Sequence, residues 1–221
     1  MLHRGGAAVD CRAGNVWRVT TEQDRWNAAY GEGDRTRSWY QPDAAVSLDL
    51  IASGGGVDRS VVDIGGGASV LVDDLLAAGY RDVTVLDISA AGLDLARARL
   101  GPAANGVTWT VADLLTWSPD RTFDVWHDRA VLHFLTEPDE LEAYRAALAS
   151  ASHPGTEVVI GAFGLAGPEQ CSGLRVRRYD AQGLAGVLGE GFQLQASFTH
   201  VHTTPAGGKQ EFQWARFQRV G

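Results

Sequence analysis

The sequence has little cysteine and no long apolar run, and these two absences exclude whole classes of protein. Its 221 residues include two cysteines, Cys11 and Cys171, which are too far apart for the ligand spacing of a zinc site or for a disulfide-rich scaffold. No apolar stretch approaches the roughly 18 residues that a membrane span needs. Residues 1–6 lack the apolar core of a signal peptide. We expect a cytoplasmic protein with no metal site and no membrane partner.

An excess of positive charge is also missing. The 19 Lys and Arg residues are outnumbered by 27 Asp and Glu residues, which gives a net charge of −8. A chain with this balance has no overall field that attracts nucleic acid, so we expect no nucleic-acid partner. The hydrophobic fraction of 45% and the length suit one α/β domain with a full core.

The N-terminal part predicts a tail and two helices. Residues 1–20 show no periodicity, and we expect a mobile tail there. A helical pattern is centred on residues 21–27. A second one follows Pro42, with three apolar residues on one face, Ala45, Leu48 and Ile51.

From residue 57 onward, short apolar runs alternate with helical spacing. The runs are typical of strands buried on both faces of a parallel sheet, and they cover residues 61–64, 83–86, 107–111, 123–126 and 157–160. Apolar residues at helical spacing lie between most of them, as in Leu71, Leu75 and Ala78. This alternation predicts right-handed crossovers and a doubly wound sheet.

The C-terminal end changes period. Residues 192–198 and 212–217 alternate between apolar and polar, and a loop with Pro205, Gly207 and Gly208 separates them. We therefore predict an α/β fold with a doubly wound, mostly parallel seven-stranded sheet, helices on both faces and an antiparallel C-terminal β-hairpin. Residues 21–221 form one domain in this interpretation, with a helical lid (21–56) and a core (57–221).

The ends of the first three strands carry the residues that indicate a ligand site. In a doubly wound sheet, ligands bind at the carboxyl ends of the strands. The first strand leads into a glycine loop that can bind polar groups, and its residues are Asp63, Gly65, Gly66, Gly67 and Ser69. A simple tight turn would explain the same glycines. Asp87 closes the second strand, where a carboxylate can accept hydrogen bonds from a ribose diol. Asp113 follows the third strand and can accept from an adenine amino group. Each acid alone could be a solvated strand end, but the three together favour a nucleotide-like ligand.

Over nearly all of residues 20–220 the sequence resembles the class I, Rossmann-like methyltransferases that use S-adenosyl-L-methionine. The family's acid-x-Gly-x-Gly loop and its two later acids match Asp63, Gly65, Gly67, Asp87 and Asp113, while Ser69 replaces the loop's usual last glycine. The resemblance implies S-adenosylmethionine as cofactor and methyl transfer as the activity. Ile88 and Leu114, which follow the second and third acids, also belong to the donor site that it implies.

A more specific resemblance lies at the fourth strand. Residues 124–135 look like the corresponding motif of a bacterial methyltransferase subgroup, which also shows the pair Trp39-Tyr40 and later segments at 171–180 and 204–212. The pair Asp128-Arg129 is similar to one in thiopurine methyltransferases and in protein-lysine methyltransferases. Because those relatives act on different acceptors, the resemblance implies the donor and leaves the acceptor open.

The catalytic candidates are Asp128, Arg129 and His133. Methyl transfer from a sulfonium is an in-line displacement, so alignment matters more than a base. Asp128 could contact an amine of donor or acceptor, or cap a helix that starts near Ala130. Arg129 could bind a substrate carboxylate or form an internal ion pair. His133 could be a base or a packed, hydrogen-bonded histidine.

Three further residues complete the predicted donor site. His127 lies beside the catalytic candidates, and Trp39 with Tyr40 could cover the donor or face its sulfonium, while a core role explains the aromatic pair as well. His200 and His202 share one face of a strand, but no third ligand is near in sequence, which agrees with our expectation of no metal site.

The hypotheses differ in the acceptor and in the class of protein. A small-molecule methyltransferase acting on nitrogen, sulfur or oxygen is the first, because the chain leaves no room for a separate substrate domain. A protein-lysine methyltransferase is the alternative. A non-catalytic module that binds S-adenosylmethionine is the third. A nicotinamide dehydrogenase is disfavoured, because its motif needs glycine where Val70 stands.

Overall fold

The computed structural model describes residues 21–31 and 33–221. The predicted mobile tail (1–20), and Cys11 with it, lie outside the described residues. In the described part the helices are α1 (Glu22–Gly31), α2 (Ala45–Ala52), α3 (Leu71–Ala78), α4 (Ala90–Leu100), α5 (Pro138–Ala151) and α6 (Ala181–Leu188), with 3₁₀ turns at Gly101–Gly106 and Leu132–Phe134. The strands are β1 (Val61–Ile64), β2 (Val83–Asp87), β3 (Val107–Val111), β4 (Phe123–Arg129), β5 (Ser152–Phe163), β6 (Gln170–Cys171), β7 (Leu174–Arg175), β8 (Phe192–Thr203) and β9 (Lys209–Arg219).

The main sheet has seven strands in the order β3-β2-β1-β4-β5-β9-β8. Strands β1 to β5 pair in parallel, and β9 and β8 are added antiparallel. The predicted fold class, with its C-terminal hairpin, is confirmed. The strand order reverses direction between β1 and β4, so the carboxyl ends of these two strands flank the crevice in which such sheets bind ligands.

Alternate side chains along the inner strands pack into two separate hydrophobic cores. Val62 belongs to a core that contains Trp126 of β4 and Tyr144 of α5, whereas its neighbour Val61 belongs to a core that contains Leu75 of α3. Every residue of β1 and β2 is buried, as expected for strands that are covered on both faces. This double covering explains why the two strands are nearly continuous apolar runs.

The prediction of a helix that starts near Ala130 is wrong. Strand β4 runs on to Arg129, and Ala130 has a φ of 69°, a left-handed conformation that ends the strand and does not continue into a helix. The chain then forms the short 3₁₀ turn, and α5 begins only at Pro138, where Glu137 and Glu140 form a capping box.

Two smaller differences also appear. The buried residues of α2 are Ser47, Leu50 and Ile51, whereas the predicted face held Ala45, Leu48 and Ile51, so that of the predicted three only Ile51 is fully buried. Ser47 turns inward because its hydroxyl bonds the ring of His127 at 2.9 Å. The β6–β7 ribbon and α6 were not predicted, although α6 has a clear N-cap in Asp180, which accepts the Gly183 N–H at 2.7 Å.

In the part of the chain that the structure describes, the helices are all too short or too polar to cross a membrane.

Candidate functional site

A cavity of about 450 Å³ lies at the carboxyl ends of β1, β2 and β4 and beside the loop after β3. Residues of the N-terminal segment, among them Trp26, Tyr30, Trp39 and Tyr40, line it from the opposite side. The sheet therefore supplies one wall, and α1 with the following loop supplies the other. Its size is that of a typical small-molecule or cofactor site.

The glycine loop after β1 is tight because protein side chains crowd it. Gly65 and Gly67 have φ values of 65° and 45°, which favour glycine. A Cβ on Gly65 would collide with the side chain of Val131, and one on Gly67 with the Tyr30 hydroxyl. Gly65 and Gly66 line the cavity, whereas Gly67 lies beneath Tyr30. The glycines thus let the loop pack against its neighbours as well as face a ligand.

Asp87, at the end of β2, is 6% exposed and lines the cavity. Its Oδ1 accepts the Ser89 N–H at 2.7 Å. Burial raises the pKa of Asp87 to about 7, and the backbone N–H groups of Ser89 and Gly67 oppose this shift. A group that ionises near neutral pH and has few partners of its own suits a ligand that donates hydrogen bonds.

Asp113, after β3, lines the same cavity. It is exposed, and its Oδ1 accepts the Leu115 N–H at 2.9 Å, which leaves the carboxylate fixed by its own turn. Ile88 and Leu114 line the cavity beside Asp87 and Asp113. Ser69 also lines it, while its hydroxyl accepts the Leu71 N–H at 3.1 Å.

Asp63 and His127 form a buried pair in the wall between β1 and β4. They are register partners on adjacent strands, and Asp63 Oδ1 lies 2.7 Å from His127 Nδ1. The other ring nitrogen lies 2.9 Å from the Ser47 hydroxyl, and the ring stacks on Trp214. Both residues line the cavity, but Asp63 Oδ1 and His127 Nδ1 already bond each other. The pair therefore stabilises the cavity wall and leaves few polar atoms for a ligand.

Aromatic side chains line part of the cavity. Trp26 of α1 meets Phe134 with 5.2 Å between ring centroids and Trp39 with 5.9 Å, both edge to face. Trp39 was predicted to lie here, and Trp26, Tyr30 and Phe134 were not. The signal for Trp26 and Tyr30 was the presence of large aromatics in an otherwise polar helix, EQDRWNAAYG.

Asp128 does not line the cavity, contrary to the predicted catalytic role. Because side chains alternate along β4, His127 and Arg129 share one face and Asp128 lies on the other, fully buried beside Tyr144. Its carboxylate accepts the N–H groups of Val131 at 3.0 Å and Leu132 at 3.1 Å. Burial raises the pKa of Asp128 to about 6. The residue stabilises the turn after β4, which is close to the alternative capping role.

His133 is also outside the cavity, and a role as base is not supported. It is fully buried between Phe134 and Phe163, with ring centroids 4.6 and 4.4 Å away. Its Nδ1 accepts the Phe163 N–H at 3.4 Å. Burial, with a smaller contribution from the charge of Arg129, lowers the pKa of His133 to about 3. It is the packed histidine of the alternative interpretation.

Arg129 is the one predicted catalytic candidate that lines the cavity. Its Nη1 donates to the Trp39 carbonyl at 3.0 Å, and its guanidinium lies 5.0 Å from the centre of the Phe212 ring. The residue therefore connects β4 with the N-terminal segment and with β9.

Residues 61–155 match a family described as a methyltransferase domain, and no curated protein sequence matches the chain. Solved structures share the fold. One, described for the conversion of a disulfide bond into a thioacetal group during echinomycin biosynthesis, has a TM-score of 0.70 and 23% identity, covering 90% of this chain and 93% of that one. The N-methyltransferase NodS from Bradyrhizobium japonicum WM9, in complex with S-adenosyl-L-homocysteine, has a TM-score of 0.64 and 19% identity, covering 80% and 85%.

The glycopeptide N-methyltransferase MtfA, complexed with S-adenosyl-L-methionine, has a TM-score of 0.63 and 15% identity, covering 83% of this chain and 96% of that one. At these identities the structural similarity concerns the fold. The matching family and these structures agree with the predicted enzyme class, a methyltransferase dependent on S-adenosylmethionine. The bacterial subgroup stays a prediction.

Proposed function

We propose that this chain transfers a methyl group from S-adenosylmethionine to a small-molecule acceptor that binds in the same cavity. The observation that carries the proposal is that one cavity is lined both by the strand-end carboxylates Asp87 and Asp113 and by the aromatic side chains Trp26, Trp39 and Phe134. A nucleoside with a sulfonium tail needs hydrogen-bond acceptors at its sugar and base and an apolar, aromatic surface at its cation.

In this proposal S-adenosylmethionine lies along the carboxyl ends of the strands in one orientation. Asp87 would accept both ribose hydroxyls, Asp113 would accept the adenine amino group, and Ile88 with Leu114 would flank the base. The methionine part would then cross the Gly65–Gly66 backbone toward the end of β4. This places the transferable methyl near the aromatic residues.

Methyl transfer requires that the acceptor atom be aligned with the methyl carbon and the sulfur, and that water be excluded. The lone pair of the acceptor atom forms a bond to the methyl carbon while the carbon–sulfur bond breaks, and S-adenosylhomocysteine leaves as a neutral thioether. Asp128 and His133 do not reach the cavity, so neither is assigned the removal of a proton. A nucleophile that arrives unprotonated needs none removed before attack, and proximity supplies the rate in this scheme.

Enclosure favours a small acceptor over a protein lysine. Tyr30 is 8% exposed, and the contacts of Trp26 with Phe134 and Trp39 cover the methyl end. A lysine side chain on a protein would need an open channel at this point. We include in the proposal that residues 21–56 act as the lid, because α1 and the segment around Trp39 supply that cover.

Calorimetry with S-adenosylmethionine, S-adenosylhomocysteine and NAD tests the donor assignment. We expect saturable, micromolar binding of the first two and no binding of NAD. Saturable binding of NAD without either adenosyl ligand would overturn the assignment. For the acceptor, methylation of small amines, thiols and phenols is compared with methylation of lysine-containing peptides. Turnover of peptides alone would favour the protein-lysine alternative.

A further inference from the structure

Arg129 carries a guanidinium group whose hydrogen-bond donors are only partly satisfied by the described residues. Of its three nitrogens, Nη1 donates to the Trp39 carbonyl, whereas Nε and Nη2 are buried and have no hydrogen-bond partner among the described residues. The salt bridges found in the described part of the chain do not include it. The nearby carboxylate of Asp63 is bonded to His127 at 2.7 Å.

Such an arrangement is costly to the free protein. A buried charge without a counter-charge destabilises the folded state, and unsatisfied N–H groups add to that cost. Burial lowers the pKa of Arg129 to about 10, which still leaves the guanidinium charged at neutral pH. The contact with Phe212 offsets only a small part of this cost.

The two free nitrogens match one ligand chemistry. Nε and Nη2 lie on the same edge of the guanidinium, and their parallel N–H groups fit the two oxygens of a carboxylate. We propose that Arg129, which lines the cavity, binds a ligand carboxylate through this edge of its guanidinium. The inference rests on the proposed function, which offers two sources of that group, the methionine carboxylate of the donor and a carboxylate on the acceptor.

The first experiment tests the donor as the source. S-adenosylhomocysteine and its decarboxylated analogue are titrated calorimetrically into the wild type and into Arg129→Gln. If the donor supplies the carboxylate, the wild type prefers S-adenosylhomocysteine by about tenfold or more, as expected for a charge-assisted, bidentate pair. The variant then binds both compounds with nearly equal affinity.

The second experiment tests the acceptor as the source. Benzoate and benzamide, which have the same ring and differ in charge, are titrated into protein saturated with S-adenosylhomocysteine. If the acceptor supplies the carboxylate, the wild type binds benzoate in preference to benzamide, and Arg129→Gln loses the preference while it keeps its affinity for S-adenosylhomocysteine. Either pattern supports the site and identifies its source.

Controls separate this site from general charge and from folding. Arg177→Gln removes an exposed arginine that does not line the cavity and is expected to change neither preference. Because Nε and Nη2 of Arg129 are buried without partners among the described residues, unliganded Arg129→Gln should melt at or above the wild-type temperature. A purely structural role through Trp39 predicts a lower melting temperature with both preferences intact.

The proposal is overturned if Arg129→Gln keeps whatever preference the wild type shows, or if the wild type shows none in either experiment. Its failure can be told apart from failure of the proposed function. If the wild type binds neither adenosyl compound, the proposed function fails. The comparison of benzoate with benzamide on the unliganded protein then still tests Arg129.

Discussion

The carboxylate of Asp87 illustrates how burial can tune one residue for a ligand. At 6% exposure its pKa lies at about 7, far above the ordinary value of 3.8. The folded state therefore holds this proton more tightly than the unfolded chain does. The contribution of Asp87 to the free energy of unfolding is greatest below pH 3.8 and is lost as the pH rises toward 7.

If the ribose hydroxyls donate to Asp87, only its ionised form binds the donor well. With a pKa of about 7, roughly a tenth of the groups are ionised at pH 6 and roughly nine tenths at pH 8. We expect affinity for S-adenosylhomocysteine to rise about tenfold between these values, with proton release at pH 7. Calorimetry in buffers of different ionisation enthalpy measures both effects.

Asp87→Asn is the matched control for this titration, because it keeps the shape and removes the ionisation. We expect weaker binding and a flat pH profile. A wild-type affinity that does not change between pH 6 and pH 8 would contradict a contact between the donor and this carboxylate.

At the scale of elements, α1 is held over the site by polar ties to the β2–α4 junction. Asn27 Oδ1 accepts the Ser89 hydroxyl at 2.9 Å and the Ala91 N–H at 3.2 Å. Gln23 Nε2 donates to the Ile88 carbonyl at 3.1 Å. These bonds anchor the proposed lid beside Asp87, the residue proposed to bind the donor's ribose.

Asn27→Ala should loosen this lid without unfolding the core. Losing two hydrogen bonds, one of them to a backbone N–H, is expected to speed amide exchange in α1 by about threefold to tenfold. Affinity for S-adenosylhomocysteine should fall by a similar factor, and bound ligand should slow the exchange again. Hydrogen–deuterium exchange and calorimetry measure the two effects. Arg25→Ala on the same helix removes a partly exposed ion pair with Glu22 and should leave both unchanged.

At the scale of the whole molecule, the antiparallel hairpin completes the core and also supports the site. Trp214 of β9 is 1% exposed and stacks on His127, and Phe212 lies beneath the guanidinium of Arg129. Gly161 of β5 leaves room for the Trp214 ring, which a Cβ there would meet at 2.8 Å. Strand β9 therefore packs against the side chains at the end of β4 and helps to hold them in place.

A pair of substitutions tests this role. Trp214 and Phe198 are register partners on β9 and β8, but Phe198 is 42% exposed. Trp214→Ala should cost about 3–5 kcal/mol of unfolding free energy, because it leaves a large cavity. Phe198→Ala should cost about 1 kcal/mol or less. Denaturant unfolding of both variants measures the difference, and equal costs would contradict a core role for the hairpin.

The sequence by itself determined the alternation of strands and helices, the hairpin and the positions of the strand-end acids. Buried parallel strands require apolar runs, and a doubly wound sheet brings the carboxyl ends of its central strands together, so the sequence alone predicts that Asp87 and Asp113 lie at one site. Trp39 and Arg129 were also predicted as site residues and line that cavity.

Only the tertiary structure decided which neighbours of those residues face the cavity. Along β4 the strand continues to Arg129, so alternation directs Arg129 to the cavity and Asp128 to the opposite core. A strand that ends three residues earlier, as the apolar run suggested, leaves that alternation undefined. The burial of His133 arises from packing against Phe163 of β5 and Phe212 of β9, which lie far away in sequence. Local pattern cannot encode such contacts, because their free energy comes from residues that meet only when the sheet is complete.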